Sequence, residues 1–223
     1  MKLIIFDCDG TLVDSQHKIC AAMTHAFTTM ALPVPARSEI LGIVGLSLPQ
    51  VFAVLAPEQP ASVQAELAEL YRMDFPARGG EAALHDPLVA GVGAVVAALA
   101  RRSDLVLGMA TGKSRRGVAR ILEREGWSGH FLTIQTADDH PSKPHPAMIL
   151  QAMAEVGGDA ATTIMVGDTT YDMEMAHNAG VRGVGVSWGY HEPARLLTAG
   201  AERVVTSSQE LLAAIAEPFA VPT

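Results

Sequence analysis

Short, unbroken apolar runs that stop at polar residues recur along this chain. Leu3 to Phe6 ends at Asp7, Leu105 to Ala110 at Thr111-Gly112, and Thr163 to Val166 at Gly167-Asp168. Val181 to Val186, interrupted by glycines, ends near Ser187. Continuous apolar runs of this length mark strands buried on both faces, as in parallel sheets. Phe131 to Ile134 and Arg203 to Val205 are weaker strand candidates. Between the runs lie stretches with helical spacing or helix-forming composition: Val92 to Arg102, Ser114 to Glu125, Pro146 to Val156, Tyr171 to Ala179 and Ser208 to Glu217. Gly126, Gly157 and Gly180 stand where helix C-terminal glycines belong. Alternating strands and helices predict an α/β fold with a Rossmann-like parallel sheet.

One region departs from the alternation. From Ser15 to Ala83 the pattern predicts helices only: Ile19 to Met30, Ser38 to Leu41, Pro49 to Leu55 and Ala61 to Phe75, punctuated by Pro33, Pro35, Pro57 and Pro60. The expected organisation is therefore a core of residues 1–14 and 84–223, with residues 15–83 inserted after the first strand as a helical cap. Gly79-Gly80 is the expected return hinge.

Composition narrows the function. The 223 residues carry a net charge of −8, and their only paired cations are Arg101-Arg102 and Arg115-Arg116. Nucleic-acid binding needs a basic face and is not expected. No apolar run is long enough for a membrane span, and the first one is too short for a signal-peptide core. Two cysteines, Cys8 and Cys20, make no disulfide framework and suit a reducing, cytoplasmic setting.

The polar residues at the strand ends carry the chemistry, because ligands of open parallel sheets bind there. Asp7 and Asp9, then Thr111-Gly112, then Asp168 with Asp172 one turn later, occupy those ends; Lys143 precedes another helix. Gathered carboxylates need a cation or raise one another's pKa. Such oxygen ligands suit magnesium held together with a phosphate.

Two tempting alternatives fail on spacing or direction. Gly108 to Ser114 resembles a phosphate-binding loop but has three residues between its glycines where four are needed. That leaves Lys113 as an expected surface residue. Cys8 alternates with the two acids, so its thiol should face away from them. His17, His25, His145 and His191 are expected at the surface or at hinges.

The motif set resembles the haloacid dehalogenase superfamily, phosphoglycolate phosphatase-like branch. Asp7-Cys8-Asp9-Gly10-Thr11-Leu12-Val13-Asp14-Ser15 matches its first motif, Thr111 its second, Lys143 its third and Gly167-Asp168-Thr169-Thr170-Tyr171-Asp172 its fourth. The resemblance implies a magnesium-dependent phosphatase acting on a small phosphorylated metabolite, with 2-phosphoglycolate as the candidate the branch suggests. Asp7 would be the nucleophile and Asp9 the general acid and base. Asp7, Cys8, Asp9, Thr111, Gly112 and Lys143 would bind the phosphoryl group. Asp7, Asp9 (through its carbonyl), Asp168 and Asp172 would hold Mg²⁺, unless Asp172 acts by orienting Lys143 or a metal-bound water. A sugar phosphomutase of the same superfamily is the alternative. Mutases commonly lack an acid at the position of Asp172 and carry a cap arginine where this chain has Gly45-Leu46-Ser47-Leu48. A non-catalytic binding protein on this fold is the third reading; every catalytic position is filled, which speaks against it.

Overall fold

The computed structural model of the chain describes residues 1–77 and 86–216. Six strands form one sheet: β1 Lys2–Phe6, β2 Leu105–Thr111, β3 Phe131–Thr136, β4 Thr163–Gly167, β5 Arg182–Val186 and β6 Arg203–Val205. Their order is β3-β2-β1-β4-β5-β6, and every pairing is parallel. The sheet is the predicted α/β, Rossmann-like one.

Side chains alternate across it. Ile4 and Phe6 of β1 join one apolar cluster with α5 (Val92–Ala100), α6 (Arg115–Arg124) and α10 (Ser208–Ala216). Leu3 and Ile5 face the other side, against α7 (Ala147–Val156) and α8 (Thr170–Asn178). Both faces are covered, which is why the strands read as unbroken apolar runs. The chain winds outward from β1 to β2 and β3, then crosses back to β4. The reversal opens a crevice at the carboxyl ends of β1, β2 and β4.

Four helices occupy the described part, residues 15–77, of the region predicted all-helical: α1 Gln16–Thr29, α2 Arg37–Leu41, α3 Leu48–Leu55 and α4 Ala61–Ala77. They have an apolar cluster of their own, which includes Phe27, Phe52 and Leu67. Phe52 is fully buried, with its ring 6.2 Å from that of Phe27 and 6.4 Å from that of Tyr71. The expected hinge at Gly79-Gly80 lies outside the described residues.

The glycines expected at helix ends do adopt left-handed conformations, with φ of +68° at Gly126, +65° at Gly157 and +69° at Gly180. One helix escaped the periodicity: α9, Pro193–Thr198. At six residues it is shorter than two turns. Among the described residues no helix is long and apolar enough to cross a membrane.

Candidate active site

Asp7 follows β1, and its backbone N–H donates to the Val166 carbonyl on β4 at 2.9 Å. Its carboxylate is buried. Oδ1 lies 2.9 Å from Lys143 Nζ, while Oδ2 meets no hydrogen-bond donor among the described residues. Burial pushes the Asp7 pKa up to about 6 against the Lys143 ammonium, with the Asp172 and Asp9 charges adding to the rise. Lys143 is fully buried and ion-paired a second time, 2.6 Å from Asp172 Oδ1.

Asp168 and Asp172 are likewise inaccessible to solvent. Asp168 accepts from the Thr11 hydroxyl at 2.8 Å and from the Tyr190 backbone N–H at 2.9 Å. Its pKa stands well above the usual carboxylate range, from burial first and the charges of Asp172 and Asp7 next. The second oxygen of Asp172 accepts from both the N–H (3.0 Å) and the hydroxyl (2.7 Å) of Thr169, closing a capping box at the start of α8. Glycines make room for these acids: a Cβ would lie 2.3 Å from Asp168 Oδ2 at Gly10, 2.3 Å from Asp172 Cγ at Gly167 and 2.2 Å from Asp168 at Gly189.

Asp7, Asp168 and Asp172 each offer one oxygen, all within 4.8 Å of one another. Three buried carboxylates face one buried ammonium, and Asp7 Oδ2 has no donor. The deficit is cationic, and hard oxygen ligands of this kind fit Mg²⁺. The side chain of Asp9 stands apart from this group. Its Oδ1 accepts from Ser15 Oγ at 2.5 Å and from Lys113 Nζ at 2.7 Å.

Thr111 closes β2, buried, and its hydroxyl accepts from the Lys113 N–H at 3.2 Å, leaving its own proton to donate. Cys8 packs its side chain into the cluster beneath the sheet, as its alternation with the acids predicts, and burial pushes its thiol pKa up. A cavity of about 350 Å³ joins these parts. Asp7, Asp9, Thr111, Gly112 and Lys113 line its floor, and Ile43 to Leu48 line its roof.

The roof sits directly on the strand ends. A Cβ at Gly112 would lie 2.5 Å from the Gly45 carbonyl oxygen. The Ser47 N–H donates to Ser142 Oγ at 2.8 Å, and the Tyr171 hydroxyl donates to the Gly42 carbonyl at 3.2 Å. His191 is buried with Nε2 3.1 Å from that same carbonyl, and its Nδ1 accepts from the Thr170 N–H at 3.0 Å. Its expected place at the surface or a hinge is corrected here: it is packed between the helical insert and the core.

Lys113 needs the larger correction. It was expected at the surface, yet it is buried between Asp9 and Asp86, 3.7 Å from Asp86 Oδ2. The room comes from Gly117 one turn later, where a Cβ would stand 3.0 Å from Lys113 Cγ. That glycine in the first turn of α6 is the trace this arrangement leaves in the sequence. Ser15 was marked only as the end of the first motif, with no role; it leaves its place before α1 uncapped and donates to Asp9 instead.

Known proteins resemble the chain over most of its length. The probable phosphatase IndB of Dickeya dadantii is 37% identical over 95% of this chain and 92% of its own. The tyrosine-protein kinase PtkA of Mycobacterium tuberculosis is 32% identical over 85% of this chain, which spans 63% of that protein's length. The crystal structure of a predicted phosphatase from Clostridium acetobutylicum superposes with a TM-score of 0.85 at 26% identity, covering 96% of this chain and 97% of that one. With the profile of the haloacid dehalogenase-like hydrolases matching residues 4–186, the chain belongs to that family.

Proposed function

We propose that this protein is a magnesium-dependent phosphatase that hydrolyses a small phosphomonoester through a phosphorylated Asp7. The observation that carries the reading is the Asp7 carboxylate: buried at a strand end, gripped on one oxygen by Lys143 and left without a donor on the other. A buried carboxylate oxygen without a donor is costly unless function uses it.

In the first step one Asp7 oxygen attacks phosphorus, and the bond from phosphorus to the leaving oxygen breaks. Asp9 donates the proton that the departing alkoxide takes up. In the second step Asp9, now a carboxylate, removes a proton from water as that water attacks phosphorus. The bond from Asp7 oxygen to phosphorus breaks, and inorganic phosphate leaves. Lys143, the Thr111 hydroxyl and the backbone N–H groups of Cys8 and Gly112 would hold the phosphoryl oxygens as their charge shifts. Asp7, Asp168 and the Asp9 carbonyl would hold Mg²⁺, which supplies positive charge to the phosphoryl oxygens. Asp172, committed to Lys143 and Thr169, is assigned to positioning Lys143.

Residues 15–83 form the cap in this reading, and residues 1–14 and 84–223 the catalytic core. A free metabolite in the cytoplasm suits a cavity of this size, with 2-phosphoglycolate a first compound to assay. The acceptor is water rather than a sugar hydroxyl: an acid stands at Asp172, and no arginine occurs between Gly45 and Leu48.

The test follows radiolabelled phosphate from a turning-over substrate. Acid-quenched wild type should carry a hydroxylamine-labile label that Asp7→Asn lacks, and chelation should stop both label and turnover until magnesium is restored. Turnover with no label on the protein would sink the covalent route. Label delivered to a second substrate molecule or to a protein tyrosine, in place of water, would replace the phosphatase by a phosphotransferase.

A further inference from the structure

The outer wall of the cavity is cationic, although the chain as a whole carries a net charge of −8. Arg116 and Arg120 line it from α6, and Arg72 lines it from α4 in the helical insert. Arg116 and Arg120 are four residues apart, hence on one face of a helix. That helix begins just beyond Thr111-Gly112, so both guanidiniums extend from the element beside the phosphoryl-binding end of β2. All three arginines are exposed; Arg72 pairs with the exposed Glu69 of its own helix, whereas among the described residues neither Arg116 nor Arg120 has a carboxylate partner. Their neighbour Arg115, by contrast, pairs with Asp139 at 2.5 Å. The acid on the same wall, Asp138, already accepts from the Arg115 backbone N–H at 2.8 Å. Facing the arginines, the roof is apolar, with Ile43, Val44 and Leu46 in contact with the cavity.

The phosphoryl group does not account for these arginines. Lys143, Thr111 and the acid cluster already serve the floor. Resting on the phosphatase reading, we infer that Arg116, Arg120 and Arg72 form a second anion site, and that the substrate's leaving group carries its own carboxylate or phosphate. Planar guanidinium forks match either group in a bidentate way. Two of the arginines belong to the core and one to the insert, so an anionic leaving group bridges the two parts as it binds. A neutral leaving group has only the apolar roof to hold it.

Three-carbon phosphomonoesters test this directly: 3-phosphoglycerate and a propanediol bisphosphate against glycerol 3-phosphate. Wild type should favour at least one of the anionic pair in kcat/KM. In Arg116→Ala, Arg120→Ala and Arg72→Ala that preference should fall by roughly 10- to 100-fold, the range expected of a charge-assisted hydrogen bond removed, and mostly through KM. Arg120→Lys should keep part of the preference. The carboxylate and phosphate arms identify which anion the site prefers. Calorimetry on Asp7→Asn with the same three compounds reads binding without turnover. If the chain hydrolyses nothing yet binds the anionic compounds through these arginines, the phosphatase reading fails and the anion site stands. Equal preference for the neutral compound, or equal losses on all three compounds in the arginine variants, would overturn the anion site and leave the phosphatase reading in place.

Discussion

At the scale of single residues, the site separates its two working acids by giving them different partners. Asp7 lies next to Lys143 in full burial, and Asp9 is tied by one oxygen to Ser15 and Lys113. Two donors on Oδ1 fix the plane of the Asp9 carboxylate and leave Oδ2 for the leaving group. Lys113 is thus a positioning residue for the proposed acid. Lys113→Met should lower kcat/KM for alkyl phosphates by about 10- to 100-fold, within the range general acids contribute. It should lower kcat/KM for p-nitrophenyl phosphate far less, because nitrophenolate leaves without a proton. The comparison is clean because kcat/KM ends at the first irreversible step, before the water attack that also needs Asp9. Equal losses on both substrates would show that Lys113 serves the phosphoryl group instead. A stability loss of about 3–5 kcal/mol should accompany the change, since Asp9 and Asp86 lose a buried counter-ion.

At the scale of elements, helix ends and interhelical contacts hold the site in place. The N-terminus of α8 is fixed by the Thr169–Asp172 capping box, and Thr170 beside it donates to His191. That bond requires Nδ1 of His191 to be unprotonated. Burial lowers the His191 pKa below its ordinary 6.5, with Arg195 also lowering it and the Gly42 carbonyl and Asp172 opposing. The sign follows: over the interval between the lowered value and 6.5 the unfolded chain binds more protons than the folded one. The contribution of His191 is full above pH 6.5 and is lost as pH falls through the lowered value. Denaturant unfolding between pH 7.5 and 5 should therefore show a steeper loss in wild type than in His191→Gln; parallel curves would remove His191 from the account. In the insert, Phe52→Ala should cost about 3–5 kcal/mol by the same measurement, because a fully buried ring packed against Phe27 and Tyr71 leaves a cavity.

How far the sequence spoke also depends on scale. Strands such as β1 and β4 were legible because burial on both faces leaves no polar residue in the run. Asp7, Asp168, Asp172 and Lys143 were legible because strand ends and helix starts bring them together whatever the loops do. Lys113 was not, since a lysine beside a turn reads as solvated until Gly117 and Asp86 are seen around it. Nor was His191, whose partners Gly42 and Thr170 lie 149 and 21 residues away. The arginine wall was hidden for the same reason: Arg72 and Arg116 come to line one cavity only when the insert lies over the strand ends.

At the scale of the whole molecule, the proposed cap rests on the core through polar contacts around its mouth. Ser47 to Ser142, Tyr171 to Gly42, His191 to Gly42 and the Ser15 N–H to the Tyr190 hydroxyl at 3.3 Å are among those that cross, beside the Ser15–Asp9 and Gln16–Asp14 contacts where the insert leaves β1. Each hydrogen bond is worth roughly 0.5–1.5 kcal/mol net. Removing two of them in the double variant Ser142→Ala, Tyr171→Phe therefore costs about 1–3 kcal/mol, a shift of roughly 5- to 150-fold toward an open arrangement. Neither side chain touches the proposed phosphoryl site, so chemistry in the closed state should survive. The double variant should show a larger radius of gyration by solution scattering than wild type when no ligand is present. Beryllium fluoride with magnesium, standing in for the phosphoryl group on Asp7, should bring the two proteins back together. Its kcat/KM should fall for every substrate by a similar factor, because closure precedes all of them, whereas Leu46→Ala and Leu48→Ala on the roof should change one substrate's value more than another's. An unchanged radius with unchanged kinetics would mean that these contacts do not govern closure, and uniform losses in the roof variants would remove the cap as the selector of leaving groups.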